Sequence, residues 1–71
     1  MTFSEALESL KRGNPVARSD WSGTHQIFVG PPHTPYHEPV IVEMGEDGRL
    51  RAGWAPSQHD MLQAQWKNWF E

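Results

Sequence analysis

The chain has 71 residues, no cysteine, and a formal charge of −3, from six Lys and Arg against nine Asp and Glu. That leaves room for one domain, expected over residues 1–71, and it excludes disulfides and thiolate metal sites. The acidic balance lacks a basic run and argues against duplex DNA or RNA, while no apolar run approaches the ~18 residues of a membrane span.

The N-terminus reads as a helix. Thr2-Phe3-Ser4-Glu5 is a capping box, and Phe3, Ala6, Leu7 and Leu10 recur as one apolar stripe. Lys11 and Arg12 suit the negative end of that helix; Gly13 is the expected left-handed stop, and Pro15 blocks continuation. Val16 and Ala17 suggest a short strand, Ser22-Gly23 a turn, and "HQIFVG" a second strand through Ile27, Phe28 and Val29. "PPHTPYHEP" then holds four of the six prolines and reads as a loop or an extended edge segment.

Residues 40–54 form the clearest hairpin. A two-residue Asp-Gly loop would pair Met44 with Arg51 and set an apolar face against a charged one. A three-residue loop, Glu46-Asp47-Gly48, instead pairs Met44 with Leu50, Val42 with Ala52 and Val40 with Trp54, and sets Glu43 opposite Arg51. The hydrophobic pattern selects the second register, with Gly48 left-handed and a bulge.

A last helix is expected from Ser57, its N-cap, with Asp60 as the third-position acid and Leu62, Trp66, Trp69 and Phe70 as the apolar stripe. The fold class is therefore α+β: a small antiparallel sheet with an N-terminal and a C-terminal helix. Four Leu, four Val and two Ile make a thin aliphatic core, and four tryptophans carry much of the apolar area. A chain this short buries only ~60% of its unfolded surface, so the fold is expected to be completed by homo-oligomerisation. Without a signal-peptide pattern, it reads as soluble and cytoplasmic.

No metal or cofactor is expected. His33 and His37 are four apart, but a Pro-rich segment does not put them on one helix face, and His59 follows a cap and faces water. Ser57 and His59 lack a strand–turn–helix elbow, so no catalytic residue is assigned and the chain reads as a non-enzyme. A ligand pocket has more support. A helix N-terminus suits phosphate; Trp21 and Trp54 can stack on purine rings; Arg18 can hold a phosphate with two hydrogen bonds. Ser57, Gln58 and Asp60 can read base or ribose edges. Pattern alone still favours the structural reading, in which Ser57 and Asp60 are a capping box, Trp54 is hairpin core and Arg18 is solvated.

A resemblance shifts those weights. "MTFSEALESLKRG" followed by "VARSDWSG", and "DGRLRAGWAPSQHDMLQAQW" near the end, resemble the Thoeris anti-defence type 2 family of small phage proteins. Trp54, Ser57, Gln58, Asp60, Met61, Leu62 and Trp66 match its C-terminal pattern; Phe3, Ala6, Leu7, Leu10, Gly13, Val16, Ala17, Arg18 and Trp21 match its start. The departures are a shorter middle segment, Ser4 where Gly is common, and Gln65 where an acid is usual.

The resemblance implies a sponge: a protein that binds a cyclic nucleotide-type signalling ligand, a cyclic ADP-ribose isomer or a cyclic oligonucleotide, without cleaving it. It also implies a homotetramer with pockets between subunits, in the host cell cytoplasm if phage-encoded. The ligand-binding candidates are Arg18, Trp21, Trp54, Ser57, Gln58 and Asp60, with Tyr36 and His37 at the rim. Leu62, Trp66 and Trp69 are assigned to core or subunit interface. The alternative is a structural or protein-interaction module, a phage accessory protein or an inhibitor of a host protein, with no small ligand.

Overall fold

Thr2 opens the first helix as its sequence predicts. Its hydroxyl accepts from the Glu5 amide at 3.3 Å, and the Glu5 carboxylate accepts from the Thr2 amide at 2.9 Å. The computed structural model describes residues 1–30 and 39–71. In chain order these form α1 (Phe3–Lys11), β1 (Val16–Arg18), β2 (Gln26–Val29), β3 (Ile41–Met44), β4 (Leu50–Ala52), α2 (Gln58–Leu62) and β5 (Trp66–Asn68). The expected Pro-rich loop, with His33, Tyr36 and His37, lies outside the described residues.

The strands make one antiparallel sheet in the order β4-β3-β2-β1-β5. Cross-strand partners share a face, so the pairs Val16↔Ile27, Val16↔Asn68 and Arg18↔Trp66 set those five residues on one side. α1 packs on that side, against β5, β1 and β2, and α2 rests against α1. Ala6, Leu10, Val16, Ile27 and Trp66 form the buried core, flanked by Phe3, Leu7, Trp21, Ile41 and Trp54. Ser9 is buried among them, and its hydroxyl donates to the Asn68 side chain while accepting from Asn14 Nδ2 at 3.2 Å. Those bonds satisfy a hydroxyl that would otherwise be costly to bury.

The β3–β4 hairpin has the expected register: Met44 faces Leu50, Glu43 faces Arg51 and Val42 faces Ala52, across the three-residue loop. The expected fourth pair, Val40 with Trp54, is not formed. The amides of Gly53 and Trp54 both donate to the Ile41 carbonyl, at 2.9 and 3.0 Å. Two residues thus oppose one, and Gly53 sits at φ 82°, a conformation glycine adopts without steric cost. The bulge turns Trp54 off the strand alternation and onto Phe3 and Trp66.

The C-terminal helix is shorter than its periodicity predicts. α2 ends at Leu62, and Gln63 turns extended, at φ −72° and ψ 128°. The next residues run as β5 along the open edge of β1, pairing Arg18 with Trp66, Ala17 with Lys67 and Val16 with Asn68. Leu62, Trp66, Trp69 and Phe70 therefore share no helical stripe. Trp66 is 2% exposed in the core, whereas Leu62 is 84% exposed. An unpaired sheet edge and an aromatic segment of good strand propensity outweigh the helical spacing. Among the described residues, no helix is long and apolar enough to cross a membrane.

Candidate functional site

The six candidate residues come from three separate segments: the end of β1, the bulge after β4, and the start of α2. One buried indole joins them. The Trp66 ring meets Trp21 edge-on at 5.3 Å between centroids and Trp54 at 6.3 Å, with Phe3 at 5.5 Å. Its Nε1–H donates to the Asp60 carbonyl at 3.0 Å. Arg18 is its direct partner across β1 and β5.

Asp60 ties the polar half together. Its Oδ2 accepts from the Ser57 amide at 2.9 Å, and its amide donates to the Ser57 hydroxyl at 3.1 Å. Its Oδ1 accepts from Arg18 Nη1 at 2.7 Å. The expected capping box is present, and the same carboxylate also anchors Arg18. The helix start is thereby satisfied from within, and α2, at five residues, is too short to serve as an anion receptor by itself.

Arg18 is not the solvated strand residue expected of it. It is buried, with Nε and Nη2 donating to the two Asp20 oxygens at 3.0 and 2.6 Å. The backbone explains the pairing: the Trp21 amide donates to the Arg18 carbonyl at 3.0 Å, closing a turn that folds Asp20 back over the strand end. Asp20 and Asp60 hold the guanidinium above its ordinary pKa. Hydrogen bonds from Arg18 hold the Asp20 carboxyl below its usual value. For Asp60, burial pushes the pKa up, but hydrogen bonds from Ser57 and Arg18 outweigh it and the net direction is down.

The aromatic half is partly committed. Trp21 is half-buried and carries His25 on one face, with rings 3.8 Å apart and 10° from parallel. His25 Nε2 lies 2.9 Å from Glu43 Oε2. A purine stacking on Trp21 must use its other face or displace the imidazole. Gln58 is exposed and Trp54 half-buried. An open depression of about 390 Å³ is lined by His25, Glu43, Gly45, Glu46, Asp47 and Arg51. None of the six candidates lines it, and its three carboxylates against one arginine suit phosphate poorly.

Sequence reasoning missed two members of this arrangement. Trp66 is the core residue its sequence predicts, but its central place at the site depends on β5, which the helical spacing conceals. Asp20 carried a readable signal: an acid two residues beyond Arg18, at a strand end, where a turn brings opposite charges together.

The comparisons with known proteins agree with one another. The profile of the Thoeris anti-defense 2-like domain matches residues 1–68. The chain is also similar to Thoeris anti-defense 2 of Bacillus phage SP01, at 32% identity over 93% of this chain and 91% of the phage protein.

Proposed function

This chain belongs to the Thoeris anti-defense 2-like family, and on that premise we propose that it binds and sequesters a cyclic nucleotide-type immune signal, a cyclic ADP-ribose isomer or a cyclic oligonucleotide, without cleaving it. The family name supports the anti-defence role. The observation that carries the finer reading is the convergence on Trp66 of two indoles, an arginine and a polar helix start. Aromatic faces take bases, the arginine takes phosphate, and Gln58, exposed and without a side-chain hydrogen bond among the described residues, reads a base or ribose edge. Ser57, the one hydroxyl among these six residues, is tied up with Asp60 in the helix cap, an arrangement that fits holding a ligand rather than turning it over.

We also propose a homotetramer. Leu62, Phe70 and Leu50 are 84%, 64% and 60% exposed, apolar surface that association would cover. The same exposed side chains favour a second reading, a protein-interaction module with no small ligand.

A thermal-shift panel of cyclic ADP-ribose, its two glycocyclic isomers and cyclic di- and trinucleotides, with linear ADP-ribose and NAD as controls, separates the two. At 100-fold excess over its dissociation constant, a ligand stabilises by about 2.7 kcal/mol, several degrees for a domain this small. A shift with one cyclic class, and recovery of the ligand intact after heating, support the sponge. No shift with any of them, together with a co-purifying protein partner, supports the second reading. Light scattering on a size-exclusion column tests the tetramer; a stable monomer at low micromolar concentration refutes it.

A further inference from the structure

Arg18 is buried and electrically satisfied, yet its two carboxylate partners are not equivalent. The Asp60 side chain is 13% exposed and is held from three directions, by Arg18, by the Ser57 amide and, through its backbone, by Trp66. The Asp20 side chain is 57% exposed. Among the described residues, its carboxylate has no donor besides Arg18 and its own amide. It stands in a turn, where a change of side-chain rotamer moves no strand.

We propose that Asp20 is a displaceable internal anion: a phosphate-bearing ligand binds Arg18 by taking over the Nε and Nη2 edge that Asp20 occupies, while Asp60 stays in place. This rests on the sponge reading for the phosphate-bearing nature of the natural ligand.

Asp20 presents two oxygens to the Nε/Nη2 side of the guanidinium, the planar two-point geometry that a phosphate also presents. The trio of Arg18, Asp20 and Asp60 carries a net charge of −1, which repels a second anion as long as Asp20 remains. Once Asp20 swings into water, Arg18 and Asp60 balance, and the open edge of the arginine faces the vacated space. The Asp20 carboxylate is the solvent-facing end of its pair and can be rehydrated on release, with the incoming anion taking its place on Arg18, whereas the Asp60 pair is fixed by the helix cap. Asp20 thereby discriminates among ligands. One that offers Arg18 two in-plane oxygens replaces what it removes; one that offers a single neutral acceptor does not.

The test is binding of inorganic pyrophosphate, followed by tryptophan fluorescence and calorimetry, to the full chain and to Asp20→Asn. The variant is expected to bind about two- to fivefold more tightly, the equilibrium equivalent of losing one ion pair of which only the carboxylate end is exposed. Glu8→Gln makes the same change in net charge at an exposed position on α1, paired with Lys11, and is expected to leave pyrophosphate affinity unchanged. Equal or weaker binding by Asp20→Asn, an equal gain in Glu8→Gln, or no pyrophosphate binding by any of the three overturns the proposal. On the unmodified chain, pyrophosphate is expected to shift the Asp20 carboxyl carbon resonance and leave that of Asp60 in place; an unmoved Asp20 overturns the proposal without any variant. If the pyrophosphate ratio holds while no cyclic nucleotide binds, the displacement stands and the sponge reading falls. If a cyclic nucleotide binds and the ratio is absent, the reverse is true.

Discussion

Trp66→Ala and Leu62→Ala, compared as a pair, test the path of the C-terminal segment. On a continuous helix the two residues would share a face at i and i+4 and be buried together. The structure separates them: Trp66 is 2% exposed, and Leu62 is 84% exposed at the end of α2. A buried tryptophan removes roughly 150–250 Å² from water, worth about 4–6 kcal/mol at ~25 cal/mol per Å². Truncation of core Trp to Ala costs about 3–5 kcal/mol, in the same range. A chain of 71 residues, at roughly 0.05–0.15 kcal/mol per residue, holds about 4–11 kcal/mol in all. Trp66→Ala should therefore remove a large part of that stability, about 3–5 kcal/mol, with Trp66→Phe intermediate. In the single chain, where Leu62 is 84% exposed, Leu62→Ala should fall within about 0.5 kcal/mol of the parent. Urea unfolding followed by far-UV circular dichroism, at two protein concentrations, reads both. A Leu62→Ala loss that grows on dilution would locate Leu62 in a subunit interface. Equal losses for the two variants, independent of concentration, would refute the strand assignment.

The other predictions probe the helix cap, the bulge and the ligand face. The Asp60 carboxyl is held below its ordinary value near 3.8, so the unfolded chain takes up that proton at higher pH than the folded one. Its contribution is complete above the ordinary carboxylate range and is lost as pH falls through the lowered value; Asp60→Asn should flatten the acid limb of Tm measured from pH 6 to 2, and identical limbs would refute the pairing. Gly53→Ala meets no neighbouring atom but must adopt φ 82°. It should cost about 1–2 kcal/mol by thermal melting, and Gly53→Asn less; a neutral Gly53→Ala would count against the bulge. Gln58→Ala should leave stability within about 0.5 kcal/mol yet weaken a bound cyclic nucleotide by about 1–3 kcal/mol in calorimetry; unchanged affinity removes Gln58 from the site.

The elements that were legible in the sequence are those whose determinants are local. The box at Thr2 and Glu5, the stripe of Ala6 and Leu10, and the left-handed Gly13 lie within one helix. The hairpin register follows from its own two strands, because a one-residue slip would have inverted its apolar face. The Ser57–Asp60 cap is equally local. What escaped depends on distant partners. Residues 66–68 become a strand because β1 offers an open edge nearly fifty residues earlier in the chain. The bulge at Gly53 is set by a carbonyl on the neighbouring strand and by the space between Phe3 and Trp66. Periodicity sees neither.

The candidate site divides the same way, and Asp60 shows why two readings that competed on the sequence coexist in the fold. If Asp60 merely capped α2, Arg18 Nη1 would lose its acceptor. If it served only a ligand site, the helix start would lose its acid. A carboxylate has two oxygens, and here they serve different partners. Oδ2 satisfies the Ser57 amide, and Oδ1 satisfies Arg18. The cap thus fixes the position of an arginine that lies forty-two residues away in the chain. The remaining edge of that arginine is left to Asp20, whose carboxylate, among the described residues, caps no helix and bonds no other residue. Chemistry at this site is therefore decided on the Asp20 side, because the Asp60 side cannot yield without undoing the start of α2.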